Sequence, residues 1–323
     1  MREMKKLKRT PNIYSILRPT ILYSYLFFMP SFQDNRKILL FSAIFSAGIC
    51  IASISASVYN IKLMFSWMNI CNFSHVFWVY VLTASTLTTY ITYYSFFKDI
   101  NIQMSRLNII LTKLHSPLTK NLVFICQLPL LLTIGTYVTI YSVEFCKDSY
   151  GEVEMWEITC AYLDFACLLP EVQYAGILVA IQYLFERLNS AIQSNHEIFV
   201  KEISMMTSRI EIDKEEVNFL SMLNQIFEMH SKLCDISESV SFAHSFSFLS
   251  SLVQKFMCVI HVTYYMYVRL MSGEVACDSA SELSHYLWLL QQVLMMTGFV
   301  YITDSSAQQV CVLQVINITR VGD

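Results

Sequence analysis

The sequence predicts an all-α membrane protein with six transmembrane helices, and three observations carry that prediction. Six long stretches are nearly free of charge: residues 38–59, 71–97, 122–143, 161–185, 248–271 and 286–303. Each reaches roughly the 20 apolar residues that a helix needs to cross a hydrocarbon core. Hydrophobic residues make up 55% of the chain and charged ones 15%, far from the balance of a soluble domain. The charge is also segregated into the gaps between the stretches. The apolar runs are too long and too continuous for barrel strands, which would alternate over short segments.

Residues 1–37 form a basic segment before the first span. The apolar run at 21–29 inside it is too short to cross, and it ends in Met29-Pro30-Ser31 without a small-x-small cleavage site. It is expected to be a short interfacial helix. Span one, residues 38–59, holds no ionisable side chain. Lysine and arginine then set the orientation. Arg2, Lys5, Lys6, Lys8, Arg9, Arg18, Arg36 and Lys37 precede span one, and Lys98, Arg106, Lys113 and Lys120 lie between spans two and three. The gap after span one holds only Lys62. The gap after span three sets Lys147 against Asp148, Glu152, Glu154 and Glu157, and the gap after span five has Glu274, Asp278 and Glu282 with no basic residue. The N-terminus is therefore expected in the cytoplasm, together with the tail at 304–323.

Residues 38–185 thus hold spans one to four and 248–303 hold spans five and six. Between them, 186–247 is polar, charged and free of Pro and Gly. Val217, Leu220, Leu223, Phe227 and Leu233 recur there at helical spacing, which gives an amphipathic helix. Spans four and five are expected to continue into the cytosol as long helices. The apolar face fits either a solvated linker or a base that packs against other subunits, with those five residues as the oligomerisation candidates.

Ionisable groups inside spans are costly in lipid and face the bundle interior. Asp164 and Glu171 stand two turns apart on one face of span four. Each fits a polar contact to a ligand hydroxyl or amine, or an interhelical hydrogen bond that fixes packing. His261 in span five is placed to pair with Glu171, to contact ligand, or to sit satisfied in the core. Lys255 is expected to snorkel toward the cytoplasmic end. Aromatic and polar side chains collect in the outer halves: His75 and Trp78 in span two, Tyr137 and Tyr141 in span three, Tyr162 in span four, Tyr264 and Tyr265 in span five, and Trp288 with Gln291 in span six. An aromatic cage with a few hydrogen-bonding tips suits a sugar or an alkaloid, and packing and interfacial anchoring use the same residues. Ten cysteines show no metal-ligand spacing, so no metal or cofactor is expected. Cys146 and Cys160 flank the acidic outer gap, where a disulfide and two free thiols are both open. No nucleotide-binding loop, zinc-protease helix or nucleophile elbow occurs, so an enzyme is not expected. A net charge of -3 offers nothing to nucleic acid. The rival classes are a small-molecule transporter and a membrane-embedded enzyme built on Asp164, Glu171 and His261.

Three segments resemble the insect gustatory receptors, of the seven-helix insect chemoreceptor superfamily. Residues 13–19 (IYSILRP) followed by an apolar run resemble their start. Residues 220–234 (LSMLNQIFEMHSKLC) resemble their leucine-and-histidine segment before span five, and 300–310 (VYITDSSAQQV) the end of span six. The order of elements is similar across essentially the whole chain. The resemblance implies a tastant-gated, non-selective cation channel in the plasma membrane of chemosensory dendrites. It implies a homo- or hetero-tetramer joined through the cytoplasmic helices, and a pocket for a sugar or bitter compound in the outer half of each bundle. An odorant receptor of the same superfamily is the alternative. The family's seventh helix lines the pore and carries Thr-Tyr, five apolar residues, then Gln-Phe. That string is absent, and Thr136-Tyr137 with Glu144-Phe145 has six intervening residues and an acid in place of Gln. The expectation is a product truncated before the seventh helix and non-conducting as it stands.

Overall fold

A computed structural model describes residues 13–20, 22, 36–65, 70–114, 120–147, 155–205, 209–272, 286–305 and 308. Among them there is no strand. The helices are α1 (Ile13–Ile16), α2 (Arg36–Phe65), α3 (Ile70–Lys113), α4 (Lys120–Lys147), α5 (Met155–Met205), α6 (Arg209–Ser272) and α7 (Tyr286–Ser305). Among the described residues three helices are long and apolar enough to cross a membrane, each holding one apolar stretch of crossing length, within Tyr162–Ser194 of α5, within Phe219–Val268 of α6 and within α7. Shorter apolar stretches lie at Leu40–Ile49 of α2 and Cys126–Ile140 of α4. The interfacial helix expected at 21–29 falls outside the described residues, apart from the exposed Leu22.

α2, α6 and α7 each expose apolar side chains on their outer face while burying polar ones. On α2, Leu40, Phe41, Ile44 and Phe45 are exposed while Ser42 and Ser46 are buried. On α6, Leu249, Val253, Phe256 and Ile260 face outward while Ser247, Ser251, Gln254 and Lys255 are buried. On α7, Leu290, Val293 and Leu294 are exposed beside buried Gln291 and Gln292. In water this distribution would forfeit the burial of apolar surface, which is worth about 25 cal/mol per Å². In lipid it is the favourable one, because hydrocarbon solvates the outer face and polar groups find partners within.

α5 is the axis of the molecule. Of its most apolar stretch 89% is buried, against 33% for α6 and 17% for α7. α3, α4 and α6 all pack on it, and α3 packs most extensively on α6. The α3–α6 contact is lined with small polar residues that let the backbones approach. Ser85 donates to the Ser250 carbonyl at 2.8 Å, Ser250 donates to Ser85 Oγ at 3.0 Å, and Thr89 meets Ser247 at 3.4 Å. Pro170 lies inside the continuous α5, and the backbone hydrogen bond it forgoes is one that a packed bundle interior tolerates.

At one end the bundle changes character. α5 and α6 each continue as helix beyond their apolar stretches, and α3 joins them. The sequence reading ends span two at residue 97 and treats 98–113 as a charged connection. Those residues continue α3, and Ile100, Met104, Leu107 and Leu111 are buried among Leu184, Phe185 and Leu188 of α5 and Leu233, Ile236 and Val240 of α6. Their four- and three-residue spacing is a helical stripe, and burying each such side chain from water stabilises by about 1.5–3 kcal/mol.

Candidate functional site

Asp164 and Glu171 share one face of α5, and both are buried, 1% and 3% exposed. That face meets α6 where Ser251, Gln254 and Lys255 occupy a single turn. Lys255 Nζ donates to both Glu171 oxygens at 2.6 Å and to Ser251 Oγ at 2.5 Å. Gln254 Nε2 donates to Asp164 Oδ1 at 2.7 Å, and the Tyr137 phenol of α4 donates to Asp164 Oδ2. Three helices are thus tied through two carboxylates. Desolvating an ion costs several kcal/mol, and pairing plus extra hydrogen bonds offset that. Glu171 has the ion pair, and Asp164 has two hydrogen bonds.

The expectation that Lys255 snorkels to the boundary is overturned. It is 2% exposed and bonded to Glu171, its counter-ion 2.6 Å away across the α5–α6 contact. Glu171 is therefore occupied by Lys255, and the suggested His261–Glu171 pair does not form. His261 stacks on Trp78 with ring centroids 5.9 Å apart and planes 10° from parallel. Tyr137 also makes edge contacts to Trp288 at 5.6 Å and to Phe165 at 5.1 Å. The structure thus brings Tyr137, Asp164 and Trp288 together, and separately Trp78 with His261. Tyr162, Tyr264 and Tyr265 are half-buried. The side chains of His75, Tyr141, Cys146 and Cys160 lie outside the described set.

The oligomerisation candidates divide by face. Leu223 and Leu233 are buried within the chain, Phe227 is half-buried, and Val217 and Leu220 are exposed beside a shallow surface recess. Among the described residues no group of His, Cys, Asp or Glu is arranged to hold a metal ion.

A cavity of about 710 Å³ opens between α4, α5 and α7. Its walls are Leu128 and Leu132, Ala175 and Val179, and Leu294, Phe299 and Ile302, with Gln182, Tyr183 and Glu186 at one end. A second space of about 260 Å³ between α4 and α7 shares Leu132, Thr136, Gln291 and Leu294 with it. Gln291 therefore stands where the two meet. Sequence reasoning reached Gln291 from its place in an outer half-span; the cavity beside it depends on how α4 and α7 diverge, which no single segment encodes. No family model matches the chain, and no curated protein matches it.

Proposed function

We propose that this chain is a chemoreceptor subunit of the gustatory-receptor kind, a six-span plasma-membrane protein with its N-terminus inside that takes part in a tastant-gated cation channel. The observation that supports this reading best is the construction of α5 and α6. Each runs unbroken from an apolar stretch into a polar extension, and the segment at 220–234 that resembles the family's leucine-and-histidine element lies inside α6. Its His230 packs edge-on against Phe185 of α5, 5.1 Å between ring centroids. A sugar or bitter compound would be held by the aromatic and polar group around Tyr137, Asp164 and Trp288, where the phenol, the carboxylate and the indole converge at the α4–α5–α7 contact.

The experiment is a recording of membrane current from cells that express the chain with companion chemoreceptor subunits, during application of sugars and bitter alkaloids. A ligand-evoked cation current is expected, with its dose dependence displaced in Trp288→Ala. The second reading, a small-molecule transporter, has the buried Lys255–Glu171 pair in its favour, because intramembrane ionisable groups mark ion-coupled pathways. Saturable uptake of a solute without any evoked current would select it.

A further inference from the structure

The two joined spaces around Gln291 are left unused by the reading above. Gln291 is 2% exposed, and neither its amide nitrogen nor its amide oxygen has a hydrogen-bond partner among the described residues. A buried amide left without partners costs about 1–3 kcal/mol for each unmet group. Its unused donors and acceptor stand at the junction of an apolar groove and a smaller apolar space. From Gln291 to Ile302 the groove follows α7 for about 16 Å at the helical rise, the length of an alkyl chain of about a dozen carbons.

We propose that this groove is a binding site for a membrane-partitioned amphiphile with an uncharged head that both donates and accepts a hydrogen bond, a long-chain primary amide or alcohol. The head pairs with the Gln291 amide and the chain lies between Leu128, Leu132, Val179, Leu294 and Phe299. A charged head is disfavoured, because among the described residues no opposite charge lines the groove near Gln291 and a buried ion without a partner is expensive. The carboxylate at the far end, Glu186, sits beside Gln182, which donates to it at 3.3 Å. The chain enters from the hydrocarbon, alongside the exposed Leu131 and Leu132 of α4.

The test is binding of tritiated dodecanamide to the purified chain in nanodiscs, with empty nanodiscs subtracted. Unlabelled dodecanamide and 1-dodecanol are expected to displace it, and dodecane, which offers no hydrogen bond, to be at least tenfold weaker. Gln291→Leu is expected to weaken dodecanamide about tenfold and to remove the advantage over dodecane. Gly298→Leu supplies an independent block. Gly298 lines the groove and an added Cβ there meets nothing within 4 Å, so a leucine there has room to start into the space the ligand would fill. It is expected to abolish binding without lowering the melting temperature. Dodecane equal to dodecanamide on the native chain, or full dodecanamide binding in both variants, overturns the proposal. This readout needs no current, so a chain that binds dodecanamide and answers no tastant separates the two readings.

Discussion

Lys255 shows how much of this molecule depends on single buried side chains. Its ammonium group is held by two oxygens of Glu171 and by Ser251, all shielded from solvent. Lys255→Met leaves the Glu171 carboxylate buried without its cation, and a loss of about 3–5 kcal/mol is expected. Lys255→Met combined with Glu171→Leu replaces the pair by apolar groups of similar size and is expected to return near the native stability. A double-mutant cycle on unfolding in detergent reads this directly; two losses that simply add would show that the side chains do not interact. At Asp164 the expected change is smaller. Tyr137→Phe removes one of two donors to a buried carboxylate, and about 1–3 kcal/mol is lost on the same scale, while Trp288 and Phe165 keep their ring contacts.

At the scale of the helix, two glycines make opposite predictions. Gly176 of α5 faces Leu17 beyond α1 and the backbone of α4: an added Cβ would lie 3.0 Å from Leu17 Cδ2 and 3.3 Å from the Cys126 carbonyl oxygen. The leucine can swing aside and the backbone cannot, so Gly176→Val is expected to cost about 1–3 kcal/mol by overpacking. Gly135 of α4 has nothing within 4 Å, and Gly135→Ala is expected to stabilise by about 0.5–1 kcal/mol through backbone entropy. Melting temperatures of the two variants should move in opposite directions. The extensions of α5 and α6 carry a pH dependence of their own. Burial lowers the pKa of His230 below its ordinary 6.5, with Phe185 at its edge and Cys234 Sγ 3.7 Å from Nδ1. A depressed histidine contributes fully above its unfolded value, and stability falls as the pH drops below it. Amide exchange over 223–234, corrected for intrinsic rates, should quicken between pH 7.5 and 5.5, and His230→Phe should remove that change. What the sequence made legible here is local. Helical periodicity at 217–233 and the run of apolar residues in α5 are readable from one segment. The stripe Ile100, Met104, Leu107 and Leu111 was equally readable, and was obscured by the lysines and arginines around it. The Lys255–Glu171 pair joins residues 84 positions apart, and it depends on the rotation of two long helices about their axes. Periodicity within either helix does not contain that phase, so the side chain looked like one bound for the nearest interface.

For the whole molecule the decisive quantity is the number of crossings. α5, α6 and α7 satisfy length and apolarity on their own. The proposal that α2 and α4 also cross rests on the orientation of their surfaces: Phe41, Ile44, Leu131 and Val138 are exposed while Ser46 and Thr133 are buried, which a hydrocarbon surround would reward. On the same proposal α3 joins them, since it packs on both α2 and α6 and shares their polar interior. Three crossings keep α5 to α7 in the same alternating sense as six only if the N-terminus moves to the outer side, and most connections are then placed identically. The connection at 115–119 separates them. With six crossings it lies on the cytoplasmic side, as its neighbours Arg106, Lys113 and Lys120 require, opposite the acidic connection at 148–154. With three, both connections precede the first crossing and share a side. An N-glycosylation acceptor inserted at 115–119 is therefore expected to remain unmodified in microsomes, while the same acceptor at 148–154 or 273–285 is modified. Modification at 115–119 together with 148–154 would reduce the count to the three helices α5, α6 and α7. It would also move the basic residues near Lys113 to the outer side, where the charge rule does not place them.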